Sequence, residues 1–290
     1  MVGERRRFRA TLAYDGTAYQ GFQRQAGGAP TIQGAVETAV ARVTGQTVTV
    51  IGAGRTDTGV HATGQVIAFD LEWPHEAADL MNAINAHLPS DIALQDIAQH
   101  EGFHPRFDAL TRLYSYYILP VRQRFPLHRS RTWQLRAPLD VAAMRTAAAR
   151  LVGRHDFAAF GQAPSGENTV RTVMRSEWEE AVDWDGATRL LVYRIEADAF
   201  LKHMVRRIVG ALVDVGTGRN TVEALAANFA QAKLMSKSTV APPQGLVLEC
   251  VTYPSPFAER LATGKQVSEW TGKTPVGGYD DRENLYTQTE

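Results

Sequence analysis

The first hundred residues alternate between strand and helix patterns in an order that few folds accommodate. Residues 8–14 alternate apolar side chains with the two-residue period of a strand, and residues 31–43 place them at helical spacing behind Thr31, a suitable N-cap. The pattern continues with strands over 47–51 and 65–71, a helix over 77–88 and a strand over 92–98. This β-α-β-β-α-β order is typical of the split βαβ units of ferredoxin-like domains.

The second half of the chain carries a related series of patterns. They predict strands over 113–119, 132–135, 170–182, 189–197 and 245–251, and helices over 141–152, 200–215 and 222–232. The strands on either side of the turn at 183–186 should pair. The sequence therefore predicts an α+β protein of two related units, over residues 1–104 and 105–254. A polar, loosely held tail is expected over 255–290.

Charge and cysteine content limit the classes of function. The 290 residues include 31 basic and 31 acidic side chains, so the net charge of zero does not indicate a nucleic-acid partner. Cys250 is the single cysteine, which excludes an internal disulfide framework and a thiolate-rich metal site. The eight histidines show no metal-ligand spacing, and no run approaches the ~20 apolar residues of a membrane span. We therefore expect a cytoplasmic protein without a metal.

Seven of the arginines lie within residues 106–136, and we call them the arginine cluster. Its seven members are Arg106, Arg112, Arg122, Arg124, Arg129, Arg131 and Arg136, against the single acid Asp108. A guanidinium group matches phosphate oxygens in pairs, so the cluster is a candidate phosphate-binding surface. The alternative is a solvated charged face in an arginine-rich protein, and composition alone does not decide between them.

The loop over residues 52–62 has the sequence GAGRTDTGVHA and carries the candidate chemistry. Its three glycines permit unusual backbone geometry and the close approach of a ligand. Arg55 and Asp57 stand two residues apart. A structural alternative is a turn capped by Asp57 with Arg55 on the surface. Residues 57–59 read Asp-Thr-Gly, a segment also found in aspartic proteases, but those enzymes need two such segments and this chain has one. A dinucleotide-binding site is disfavoured because Asp57 would repel a pyrophosphate.

Several blocks resemble the tRNA pseudouridine synthase A family, in the family's order. They are residues 14–24, 31–34, 54–61, 103–109, 112–118, 200–210 and 241–246, within a resemblance that spans roughly residues 8–254. Phe22 stands where that family usually has tryptophan. The resemblance implies a pseudouridine synthase fold with a catalytic cleft between the two units. It also implies isomerisation of uridine to pseudouridine at positions 38, 39 and 40 of the tRNA anticodon stem-loop, by a homodimer that needs no cofactor or metal.

The same resemblance implies roles for individual residues. Asp57 matches the family's catalytic aspartate, a nucleophile or base acting on a flipped uridine, and both attack at C6 and action at C1′ remain open. Arg206 matches the partner that keeps this carboxylate ionised. Tyr114 matches the aromatic residue that stacks on the uracil, and its hydroxyl could help to remove the C5 proton. Leu246 matches an apolar pocket residue beneath the base, and Arg55 the residue that fills the space vacated by the flipped nucleotide.

The arginine cluster also acquires a meaning from the resemblance. We expect it to contact the RNA backbone, with His104 and Arg106 among the contacts. A non-catalytic RNA-binding protein is the alternative, because split βαβ domains often bind RNA without reacting with it. Asp57 favours the enzyme, since a carboxylate repels phosphate and is a poor choice for holding RNA alone.

Overall fold

The computed structural model describes residues 4–163, 166–183, 186–235 and 238–255. The strands in this part of the chain are β1 (Arg6–Tyr14), β2 (Ile51–Gly52), β3 (His61–Leu71), β4 (Ile92–Gln99), β5 (Thr111–Pro120), β6 (Trp133–Leu135), β7 (Gly153–Asp156), β8 (Val170–Val182), β9 (Arg189–Ala197) and β10 (Leu246–Thr252). The helices are α1 (Ile32–Thr44), α2 (Ala77–Asn85), α3 (Val141–Ala149), α4 (Met204–Gly216) and α5 (Val222–Ala230). The predicted α+β class is confirmed.

One continuous sheet runs through both halves of the described chain. Its strand order is β4-β1-β3-β10-β5-β9-β8-β7, with β2 added to β3 and β6 added to β5. Most neighbours are antiparallel, but β10 runs parallel to β3, with Val247 opposite His61. On its other side β10 is antiparallel to β5, with Leu248 opposite Tyr114. The last strand therefore joins the two halves and brings the start of β3 close to the middle of β5.

The contact between β3 and β10 requires a glycine. A Cβ atom at Gly64 would lie 2.1 Å from the carbonyl oxygen of Glu249, which is closer than any side chain allows. Any larger residue at this position would separate the two strands at the seam between the halves.

The helices pack on the sheet through one large hydrophobic core. Buried side chains from all five helices contribute to this core, including Ile32, Leu80, Met144, Ile208 and Leu225. Helix α4 is buried along almost its whole length, and only Arg206 and Arg207 are partly exposed. Such a helix offers little freedom to shift, so it holds the base of the Arg206 side chain in a fixed position.

Local sequence signals explain where most elements begin and end. Thr31 caps α1 by accepting a hydrogen bond from the amide of Gly34 at 3.3 Å, as predicted. Gly45 ends the helix in the left-handed region, with a φ of 68°. The predicted pairing of β8 with β9 is confirmed, although residues 184 and 185 of its turn lie outside the described residues.

Several predicted boundaries are wrong. The strand expected over 47–51 is reduced to Ile51–Gly52, because the amide of Val50 donates to the Glu37 carboxylate of α1 and not to a strand. The helix expected over 200–215 begins at Met204, because His203 has a φ of 62° that interrupts a helix. The helices predicted to reach 88 and 152 end at Asn85 and Ala149.

Two strand features were missed, and two larger predictions stay open. The polar strand β7 lacks the alternation that would have revealed it, and β3 begins four residues before the predicted start. The division of the chain between residues 104 and 105 stays a prediction. The tail predicted over 255–290 lies, apart from its first residue, outside the described residues. None of the described helices has the length and apolar character needed to cross a membrane.

Candidate active site

The loop over residues 53–60 is held from both sides. Gln65 of β3, fully buried, accepts from the amide of Gly54 at 3.3 Å and donates to its carbonyl oxygen at 2.7 Å. The Thr56 side chain bonds to the Tyr14 hydroxyl at 2.8 Å, and the Thr56 carbonyl accepts from the amide of Phe22 at 3.0 Å. These contacts fix the backbone immediately before Asp57, so the carboxylate is preorganised.

Asp57 forms an ion pair with Arg206, which is 149 residues away in sequence. Nη1 of Arg206 donates to Oδ2 of Asp57 at 3.1 Å, and its Nε donates to the carbonyl oxygen of Ala241 at 2.8 Å. The two side chains are 17% and 29% exposed, with Asp57 the more accessible. The pair therefore links the first-half loop to helix α4 and leaves part of the carboxylate open to a substrate.

His203 is a second neighbour of Asp57, and its place in the site was not predicted from sequence. Its Nε2 lies 3.6 Å from Oδ1 of Asp57, and its side chain is 36% exposed. Burial lowers the pKa of His203, as do the nearby charges of Arg206, Lys202 and Arg207, while Asp57 opposes them. The imidazole is therefore uncharged at neutral pH. No local pattern indicated this residue, because it lies before α4 with a left-handed φ of 62° and reaches Asp57 only through the fold.

Tyr114 lies on β5 with its hydroxyl facing the same loop. A Cβ atom at Gly54 would lie 3.6 Å from the Tyr114 hydroxyl. The ring is buried and packs edge-on against Phe200, with centroids 5.1 Å apart at 87°. Burial raises the pKa of Tyr114, as do Tyr14 and Asp57, while Arg112 opposes this shift. The phenol therefore stays protonated at neutral pH and can donate a hydrogen bond.

Of the two remaining predicted site residues, Leu246 is buried and Arg55 is exposed. Leu246 begins β10, is buried, and stands opposite Tyr116, two positions along the ladder from the pair of Leu248 with Tyr114. Arg55 is exposed, and within the described part of the chain its side chain has no hydrogen bond or ion pair. Its guanidinium group is therefore free to contact a ligand.

His61 connects the two halves beside this loop. Its buried ring accepts a hydrogen bond at Nδ1 from the amide of Gly16 at 3.0 Å, and its Nε2 lies 3.2 Å from the carbonyl oxygen of Gln244. The same Nδ1 atom lies 3.2 Å from Oδ1 of Asp15. The contact joins a first-half turn to the segment that leads into β10.

The arginine cluster divides into one buried member and six exposed ones. Arg112 is buried and donates to the carbonyl oxygens of Arg106 and Asp198, both at 2.7 Å, and of Ala53 at 3.3 Å. A guanidinium group used in this way cannot bind phosphate, so including Arg112 in a phosphate surface was wrong. The remaining six are exposed, and we call them the exposed arginines. One of these, Arg131, contacts Asp15 at 3.3 Å.

His104 has a structural contact that the sequence did not reveal. Its Nδ1 accepts hydrogen bonds from the backbone amides of Arg106 and Phe107, both at 3.1 Å. Only Nε2 and one ring face remain for an RNA contact. Among the described residues, no group of three or more His, Cys, Asp or Glu side chains could hold a metal ion.

Comparisons with known proteins agree on one family. The family profile described as tRNA pseudouridine synthase matches residues 10–108 and 147–254. The tRNA pseudouridine synthase A of Neisseria gonorrhoeae is 41% identical over 271 residues, which cover 93% of this chain and 99% of that protein. The Myxococcus xanthus protein of the same name is 43% identical over 249 residues, covering 85% of this chain and 92% of its own. The matched segments contain both Asp57 and Arg206.

Proposed function

The chain belongs to the tRNA pseudouridine synthase A family, and from that premise we propose that it isomerises uridine 38, 39 or 40 in the anticodon stem-loop of tRNA, with Asp57 acting on a flipped base. Its mixed α+β architecture is consistent with the pseudouridine synthase fold of this family.

The observation that carries the proposal is the ion pair between Asp57 and Arg206. The reaction breaks the bond between N1 of uracil and C1′ of ribose, and a new bond then forms between C5 and C1′. The proton at C5 leaves and N1 gains one, so the product is an isomer. An ionised carboxylate can begin this sequence by attack at C6 or at C1′. The guanidinium group of Arg206 gives this carboxylate, which is only 29% exposed, an ion-pair partner at 3.1 Å.

The neighbouring residues supply the other requirements of the reaction. Tyr114 offers an aromatic ring and a protonated hydroxyl beside the loop, suited to stacking on uracil and to donating a hydrogen bond to it. Leu246 supplies an apolar surface at the start of β10. Arg55, exposed and unpaired within the described residues, can stack in the space that a flipped base leaves.

The exposed arginines provide a surface for the RNA backbone. Phosphate contacts by arginine position a nucleic acid without reading its sequence, which suits an enzyme that accepts three neighbouring positions. His104 and Arg106 belong to this surface in the proposal. The homodimer, the cytoplasmic location and the division into two units at residues 104 and 105 remain predictions.

A label-release assay tests the target positions. Unmodified tRNA transcribed with tritium at C5 of uracil loses label to water only when C5 gives up its proton. We expect release from a tRNA whose only anticodon-arm uridines stand at positions 38, 39 and 40. We expect no release when all three are replaced by cytidine. Release that persists after this replacement would contradict the assignment of the anticodon arm.

A further inference from the structure

Phe107 is a solvent-exposed aromatic side chain on a loop that several internal hydrogen bonds hold together. Its side chain is 76% exposed, whereas Phe103, four residues earlier, is fully buried. The ring of His104 stacks on it, with centroids 4.2 Å apart and planes inclined by 28°. One face of the phenyl ring is therefore covered by an imidazole, and the ring is presented as a flat surface.

The polar contacts of the loop explain why Phe107 does not fold inward. The amides of Arg106 and Phe107 both donate to Nδ1 of His104, and the amide of His104 donates to the Asp108 carboxylate at 2.8 Å. The Asp108 amide closes the turn by donating to the His104 carbonyl at 3.1 Å. These hydrogen bonds fix the backbone on both sides of the phenyl ring, so its exposure is built into the loop.

The same loop is connected to the candidate active site. Nη2 of Arg112 donates both to the carbonyl oxygen of Arg106 and to that of Ala53, the first residue of the loop that carries Asp57. Two carbonyl groups bound to one nitrogen atom must lie side by side. The side chain of Arg112 therefore joins the Phe107 loop to the start of the Asp57 loop, which places Phe107 on a loop beside the site.

The chemistry around Phe107 favours a nucleobase over an apolar partner. The Arg106 guanidinium lies 5.9 Å from the centre of the phenyl ring, is itself exposed, and can reach a phosphate beside a stacked base. An aromatic ring flanked by a cation is the usual platform for an unpaired base, because every base has a π face. We propose that Phe107, backed by His104 and flanked by Arg106, stacks on an unpaired base of the RNA substrate. This inference rests on the proposed function and adds a binding site to it.

Affinity measurements on ring variants test the stacking. We would measure the dissociation constant for an unmodified tRNA transcript with full-length protein carrying Asp57→Asn, so that no turnover occurs. Phe107→Leu should weaken binding by roughly tenfold, whereas Phe107→Tyr should stay within about twofold because it keeps the ring. The salt dependence of binding should be unchanged for Phe107→Leu, since no phosphate contact is lost, but should flatten for Arg106→Gln. Leu127→Ala is the matched control, because Leu127 is 78% exposed and lacks an aromatic ring.

Three results would overturn the proposal. Wild-type affinity for Phe107→Leu would show that the ring does not bind RNA. Equal losses for Phe107→Leu and Phe107→Tyr would show that stacking is not the cause. A shift of Phe107→Leu to a smaller species in sedimentation equilibrium without RNA, with unchanged tRNA affinity, would assign the ring to contact with a second copy of this chain.

A fluorescence variant guards against a failure of folding. If Phe107→Leu unfolds, Phe107→Trp keeps an aromatic ring, and its additional indole emission should be quenched when tRNA saturates the protein. Unquenched emission would contradict stacking. Tritium release by the protein with an unaltered sequence distinguishes failure of the proposed function from failure of the stacking proposal. If no label is released but Phe107→Leu still weakens tRNA binding, the proposed function is contradicted. If label is released but Phe107→Leu binds tRNA normally, only the stacking proposal is contradicted.

Discussion

Replacing Arg206 by methionine should destabilise the protein through the loss of one ion pair. The pair joins Nη1 of Arg206 to Oδ2 of Asp57 at 3.1 Å, with side-chain exposures of 17% and 29%. Fully exposed pairs contribute about 0–1 kcal/mol, and breaking a fully buried pair costs about 3–5 kcal/mol. The observed exposures lie between these cases. We therefore expect a coupling free energy of about 1–2 kcal/mol between the two side chains.

A double-mutant cycle isolates this coupling from other losses. Arg206→Met also removes the hydrogen bond to the Ala241 carbonyl, so the single variant should lose more stability than the coupling alone. Urea unfolding of the wild type, Arg206→Met, Asp57→Ala and the double variant subtracts that contribution. Arg207→Met is the control, because Arg207 is a partly exposed neighbour on α4 whose side chain makes no contact with Asp57 among the described residues. A coupling below about 0.3 kcal/mol would refute the ion pair as a stabilising interaction.

Three further predictions concern the site. Arg55→Ala should leave the melting temperature nearly unchanged, because the side chain is exposed. It should slow single turnover more on folded tRNA than on a substrate with a loosened anticodon stem, and equal slowing on both would contradict a role in base flipping. Changing two or three of the exposed arginines to glutamine should lower the salt dependence of tRNA binding, and an unchanged slope would return them to a merely solvated face. Because folding lowers the pKa of His203, the unfolded chain protonates this imidazole more readily than the folded one, so the free energy of unfolding falls as pH drops through about 6.5. Urea unfolding at pH 7.5 and 5.5 should show a smaller loss of stability on acidification for His203→Gln than for the wild type. Equal losses in the two proteins would contradict this prediction.

Local periodicity predicted the elements whose ends are fixed by nearby residues. Helix α1 has its own cap at Thr31 and its own stop at Gly45, so neighbouring residues alone determine it. The pair of β8 and β9 likewise follows from alternation on either side of a short turn. Such signals lie within about one turn of the chain and need no knowledge of tertiary contacts.

Long-range contacts decided what periodicity could not predict. No local pattern indicates that β10 enters the sheet between β3 and β5, because its two partners lie far away in sequence. The guanidinium group of buried Arg112 donates to four carbonyl groups from three separate segments, a set of contacts that no local pattern reveals. His203 was missed because it lies outside α4, with a left-handed φ of 62°, and meets Asp57 only through the folding of segments distant in sequence. The ion pair of Asp57 was expected from resemblance to the family and not from the spacing of the two residues.

The most direct test of the account compares Asp57→Asn with the wild type on tRNA labelled with tritium at C5. The amide has nearly the shape of the carboxylate but lacks its negative charge, so binding should persist while the chemistry stops. In single-turnover reactions with excess enzyme, the wild type should release the label and Asp57→Asn should release none above background, at similar affinities for tRNA. Release by Asp57→Asn at a rate near that of the wild type would contradict the central claim that this carboxylate performs the isomerisation.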